Sequence, residues 1–128
     1  MIGEPIETTE ERSLLADPEL GKKIVDVLVE RQAEDVLLLD ISKVCDFADY
    51  FVIASGQNVR HLQTLKSTLD SDFARAETGA FHEEGTPDSG WILMDYGDVI
   101  VHLFSEAQRD YYNLENLWRS GTQVVRVQ

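Results

Sequence analysis

Cysteine is almost missing from this chain: there is one, Cys45, in 128 residues. A lone thiol closes no internal disulfide and offers no paired spacing for a metal. A catalytic thiol needs a histidine and positive surroundings. Cys45 is instead followed by Asp46, so it reads as a small apolar residue. Long apolar runs are absent too. No stretch approaches the roughly 20 residues of a membrane-spanning helix. The start, Met1 to Glu11, is acidic and polar, unlike a secretory or transit leader. A cytoplasmic location and no membrane partner are therefore expected. Positive charge is also scarce, with 11 Lys and Arg against 24 Asp and Glu and a net charge of -13. Unspecific nucleic-acid binding depends on Lys and Arg at phosphates. Direct nucleic-acid recognition is thus not expected, whereas a basic protein partner would be attracted.

What is present is the pattern of an α/β domain. Residues 1–17 are rich in Glu and read as an acidic, flexible arm. Asp17-Pro18-Glu19 has the chemistry of a helix start, and Leu20, Ile24, Val27 and Leu28 carry helical spacing to about Ala33. Val36 to Ile41 and Tyr50 to Ala54 are short, nearly continuous apolar runs, the pattern of strands buried on both faces. Ser55 or Asn58 caps the next helix, whose Leu62, Leu65, Leu69, Phe73 and Ala76 share one face. Ala80 to Glu84 predicts a strand and Gly85 to Gly90 a loop. Trp91 to Asp95 and Val99 to Phe104 flank Tyr96-Gly97-Asp98, which makes an antiparallel hairpin. Ser105 caps a last helix holding Arg109, Tyr111, Tyr112, Leu114, Leu117 and Trp118, with a break near Asn113. The tail with Val124, Val125 and Val127 either adds an edge strand or stays loose. The order predicts a mixed sheet of about five strands flanked by helices. The core domain is expected over residues 18–119, with 120–128 as a tail.

Candidate chemistry is sparse. Ser55-Gly56 before a helix start, near Arg60 and His61, has the form of an anion cradle, although turn geometry alone also places glycine there. Asp95 and Asp98 flank the hairpin turn and would need a third carboxylate to hold a metal for nucleotidyl transfer. His102 shares a strand face with Ile100 and Phe104 and is expected to be partly buried, with a backbone partner. No Ser-His-Asp or Cys-His arrangement is recognisable. No catalytic residue, metal or cofactor is expected, and the chain is read as a non-enzyme. Trp91 alternates with Leu93 and Asp95, away from Ile92, Met94 and Tyr96. It is either core or a binding anchor; Trp and Tyr dominate interface energetics.

Three segments in one order resemble a known family. Asp49 to Leu62 is similar to the D-x-x-V-I-x-T/S-G-x-S-x-R-H segment of the Iojap-like ribosomal silencing factors. Gly90 to His102 resembles their W-x-x-x-D-x-G-D-V-V-V-H signature. Arg109 to Trp118 resembles the closing R-x-x-Y-x-L-E-x-L-W. The resemblance covers about Leu20 to Trp118. It implies a nucleotidyltransferase-like fold without catalysis. It further implies binding to the large ribosomal subunit through its fourteenth large-subunit protein. Joining of the small subunit would be blocked and translation lowered when nutrients are short, with a further part in large-subunit assembly and a homodimer. The partner-binding residues it implies are Glu84, Trp91, Asp95, Tyr96, Arg109 and Tyr112. Asn58 and Val59 stand where the family carries small polar residues, which weakens the case for an anion site. The alternative is a surviving nucleotidyltransferase or nucleotide-binding protein using Ser55, Gly56, Asp95 and Asp98.

Overall fold

Helix α1 spans Glu19–Glu30 in the computed structural model, which describes residues 18–73, 82–117 and 121–128. Its apolar stripe buries Ile24, Val25 and Leu28, roughly 1.5–3 kcal/mol for each side chain. Gly21 brings the helix close to the sheet, since a Cβ there would lie 2.7 Å from Leu38 Cδ1. The helix stops short of Ala33. Gln32 turns left-handed with φ 65°, and the Gln32 and Ala33 N–H groups donate back to Val29 and Leu28, each at 2.9 Å. This is a Schellman cap, which uses carbonyls that a helix end otherwise leaves unpaired. Asp17, the expected N-cap, lies outside the described residues, and Pro18 stands at the cap without a side-chain bond.

Strand β1 covers Glu34–Asp40 and β2 covers Tyr50–Gly56, the latter buried throughout. Helix α2, Val59–Asp72, begins where Asn58 Oδ1 accepts the His61 N–H at 2.8 Å. The helix ends short of the expected Ala76: Phe73 is its C-cap, at φ -124°, and 74–76 lie outside the described residues. β3 runs His82–Thr86 and is exposed along its length. The expected strand at Ala80 to Glu84 runs two residues further, through Gly85 and Thr86, while Ala80 and Phe81 lie outside the described residues. A 3₁₀ turn, Pro87–Ser89, follows, closed by a reciprocal Thr86–Ser89 capping box. β4 is Trp91–Asp95 and β5 is Val99–Ser105. Ser105 Oγ then accepts the Gln108 N–H at 3.2 Å and starts helix α3, Glu106–Tyr112. Asn113, at φ 49°, breaks it from the short α4, Leu114–Leu117. Trp118 lies outside the described residues. The tail forms β6, Thr122–Val127.

The sheet has six strands in the order β3-β4-β5-β2-β1-β6, rather than about five. The extra strand is the tail, which pairs antiparallel with β1. It satisfies backbone groups on the outer side of β1 that would otherwise be left unpaired. β2 and β5 are parallel, and the other neighbours are antiparallel. The connection between the parallel pair carries α2, β3 and β4, as a parallel pairing requires a long crossover.

The sheet separates two apolar clusters. One lies beneath α1 and α2 and includes Leu28, Leu38, Val52, Leu65, Met94 and Val101. The other, on the opposite face, joins Leu37, Phe51, Ile53, Ile100 and Phe104 to Cys45 and Ala48 from the β1–β2 connection. Trp91, Leu93 and Leu114 pack against this second cluster. Cys45 is buried there, in the apolar role expected of it.

Candidate functional site

The hairpin turn sets the register of the site. Tyr96 N–H donates to Val99 O at 2.9 Å, and counting back places Trp91 opposite Phe104 and Leu93 opposite His102. On the other side of β4, Leu93 faces Glu84 and Trp91 faces Thr86. Directly paired residues project from the same face of a sheet. Glu84, Trp91, Leu93, His102 and Phe104 therefore share the second face.

Helix α3 leaves the end of β5 and brings Tyr112 onto this layer. The Trp91 ring stacks on Phe104, with centroids 5.2 Å apart and planes at 25°. Tyr112 lies 4.3 Å from Trp91, tilted by 46°. The Trp91–Phe104 spacing is a favourable aromatic one, worth about 0.5–1.5 kcal/mol beyond the area buried. Tyr112 is 40 % exposed, and its neighbour Tyr111 is 78 % exposed. A surface pocket of about 240 Å³ opens here, lined by Glu84, Gly85, Ser89, Trp91, Leu93, Gln108 and Tyr112. Gly85 is required in its wall: at φ 85°, a Cβ would lie 2.0 Å from Trp91 O. Glu84 is exposed, and its Oε2 is 2.7 Å from His82 Nε2. The pocket thus has aromatic walls and an acidic rim.

Of the residues assigned to partner binding, Glu84, Trp91 and Tyr112 come together at this pocket. Asp95 lies on the same strand face, but its Oδ1 accepts the Gly97 N–H at 2.8 Å and shapes the turn. Tyr96 goes elsewhere. It is 6 % exposed, belongs to the cluster beneath α1 and α2, and meets Phe73 edge-on at 6.2 Å. Burial, followed by the nearby Asp70 and Glu83 charges, raises its pKa.

Arg109 is drawn inward as well. It is 6 % exposed. Its Nη1 donates to Asp35 O at 2.6 Å and to Ser55 Oγ at 3.0 Å, and Nη2 lies 3.6 Å from the Asp35 carboxylate. Asp35 also pairs with Arg126 at 2.8 Å. Arg109 therefore ties α3 to β1 and β2, and Asp35 carries the tie on to β6.

The proposed anion cradle is occupied by the fold. Ser55 Oγ receives Arg109, Gln57 N–H donates to His61 Nδ1 at 2.9 Å, and Asn58 takes the His61 N–H. Gly56 serves close packing, because a Cβ there would lie 2.8 Å from Leu62 Cδ2. The Asp98 carbonyl accepts the Asp49 and Tyr50 N–H groups at 2.8 and 3.0 Å.

His102 corrects a further expectation. Its partner is a side chain rather than the backbone: Trp91 Nε1 donates to His102 Nδ1 at 3.2 Å. Sequence reasoning also passed over Ser89, Leu93 and Gln108 as pocket residues, and Phe47, which is 63 % exposed. The hairpin register was the available signal for Leu93. Ser89 and Gln108 reach the pocket only through the 3₁₀ turn and the placement of α3.

With this geometry in hand, known proteins offer a comparison. A family model described as "Ribosomal silencing factor during starvation" matches residues 15–128. The ribosomal silencing factor RsfS of Zymomonas mobilis is 39 % identical over 107 residues, covering 82 % of this chain and 80 % of that protein. The mouse protein named "Mitochondrial assembly of ribosomal large subunit protein 1" is 29 % identical, over 74 % of this chain and 43 % of its own length. A crystal structure from Bacillus halodurans superposes with a TM-score of 0.73 at 30 % identity, covering 85 % of this chain and 99 % of that one. The two-faced mixed sheet and the hairpin signature thus sit within a match that runs from residue 15 to the last residue, and the chain belongs to the ribosomal silencing factor (RsfS) family.

Proposed function

We propose that this chain is a non-enzymatic silencing factor that docks on the large ribosomal subunit with its Trp91 face. The contact is with the fourteenth large-subunit protein, and occupation of that surface prevents the small subunit from joining. Translation then falls when nutrients are short. The observation that carries the reading is the layer of Trp91, Phe104 and Tyr112, which opens at the surface beside Glu84. A partly exposed, preorganised Trp–Tyr pair has the character of an interface anchor. The net charge of -13 complements a basic ribosomal protein and is repelled by the surrounding RNA. The name of the mouse relative supports a second part in large-subunit assembly. The reading includes a cytoplasmic location and a homodimer.

Co-sedimentation with separated subunits tests the proposal. The chain is expected to travel with large subunits alone and to reduce the yield of joined particles. Trp91→Ala should lower the affinity about thirtyfold or more, the effect of truncating an interface Trp by about 2 kcal/mol. Its circular dichroism spectrum should remain that of the parent. Equal co-sedimentation of a folded Trp91→Ala chain would remove this face from the contact.

A further inference from the structure

The aromatic layer has a polar joint at its centre. Trp91 Nε1–H points at His102 Nδ1 across 3.2 Å. An indole nitrogen can only donate, so Nδ1 is the bare nitrogen and the neutral ring carries its proton on Nε2. Burial holds the His102 pKa down at about 4, and the acceptor is therefore available at neutral pH. Nε2 is buried and has no hydrogen-bond partner among the described residues. Leaving a buried donor unsatisfied costs stability.

An apolar side chain would avoid that cost. The His102 ring lies edge-on to Phe51 at 4.8 Å and nearly parallel to Phe104, at 9° and 6.1 Å. Leucine would satisfy such neighbours. What leucine cannot do is accept the indole proton. A half-turn about χ2 keeps the plane of the Trp91 ring, since such terminal aromatic torsions are roughly two-fold, but it would carry the indole N–H to the side away from His102. The N–H···Nδ1 bond distinguishes the two edges of the indole. It thereby decides which edge faces the pocket wall formed with Leu93 and Tyr112.

We propose that His102 is a positioning residue for the docking face, holding the Trp91 indole in one of its two orientations through Nδ1. This inference rests on the reading of the Trp91 face as the large-subunit contact. It adds a residue with 4 % exposure that touches no partner itself.

Nitrogen-15 NMR of the full chain tests the joint directly. A coupling across the hydrogen bond, between Trp91 Nε1 and His102 Nδ1, is expected, together with slow exchange of the Trp91 indole proton; Trp91→Phe assigns the signal. Two variants then test the consequence. His102→Leu should speed indole exchange and weaken large-subunit binding about three- to tenfold, the range for one lost hydrogen bond. His102→Asn places an amide oxygen near the former Nδ1 position and should recover much of both. In the Trp91→Phe background, which has no donor, His102→Leu should change binding little further.

The proposal is overturned if the wild-type chain lacks the coupling and its Trp91 indole proton exchanges freely. It is also overturned if His102→Leu binds like the parent while Trp91→Ala does not. If Trp91→Ala itself binds like the parent, the docking reading fails, whatever the NMR shows. Should His102→Leu not fold, the wild-type coupling and the His102→Asn variant still decide the matter.

Discussion

Replacing Arg109 by Met separates a tie within the fold from a contact with a partner. Methionine keeps an unbranched apolar stem and removes the guanidinium. The loss includes the donations to Asp35 O at 2.6 Å and Ser55 Oγ at 3.0 Å and the approach to the Asp35 carboxylate at 3.6 Å. A hydrogen bond from a charged donor contributes about 1.5–3 kcal/mol, so two give about 3–6 kcal/mol. Relief from burying the charge offsets part of this. The net expectation is a loss of about 2–4 kcal/mol. The entropy of unfolding of a 128-residue chain is roughly 0.27 kcal/mol per kelvin, which converts the loss to about 7–15 °C in Tm. Thermal unfolding followed by circular dichroism reads the shift, and urea unfolding should show a lower midpoint with an unchanged slope. Well below its new Tm, the folded variant should still co-sediment with large subunits at close to parental affinity. A Tm within about 2 °C of the parent, together with lost co-sedimentation, would refute the reasoning and make Arg109 a contact residue.

Two other outcomes follow from buried polar groups. The Tyr96 hydroxyl is buried without a hydrogen-bond partner among the described residues, so Tyr96→Phe should be neutral or up to about 1 kcal/mol more stable. It should leave large-subunit binding unchanged, and a loss of binding would return Tyr96 to the contact set. His102 has a folded pKa of about 4 against an ordinary 6.5. Below pH 6.5 the unfolded chain takes up a proton there that the folded chain refuses, so acidification favours unfolding until the folded pKa is passed. This one group should remove about 2 kcal/mol between pH 7 and pH 5. Urea unfolding of the parent and of His102→Asn across that range isolates the component, and parallel pH profiles would contradict it.

Local chemistry made much of the chain legible. Asn58 and Ser105 cap their helices, and Asn113 breaks the last one, as their side chains and backbone preferences suggest. Alternation along β4 correctly divided Trp91, Leu93 and Asp95 from Ile92 and Met94. That division also put Tyr96 on the side of Ile92 and Met94, the side that α2 buries, but the resemblance had assigned it to the partner surface. Glu84, Trp91 and Tyr112 were singled out by resemblance, and the fold gathers them at one pocket. The β3 boundary was missed because Gly85 and Thr86 have loop chemistry, whereas pairing with β4 holds both in the sheet.

The sequence by itself determined the helices, the two buried strands, the hairpin with its two faces and the net acidity, because these depend on spacing and composition over a few residues. Only the tertiary structure decided which basic and aromatic side chains are available to a partner. Arg109 meets groups 54 and 74 residues away in the chain, and no local pattern marks a guanidinium that turns inward. Trp91 and His102 are 11 residues apart and meet diagonally across a hairpin, where register and ring orientation act together. β6 became a strand because β1 offered an open edge to it. In each case the deciding partner lies on another element, and burial or exposure is a property of the assembled pair.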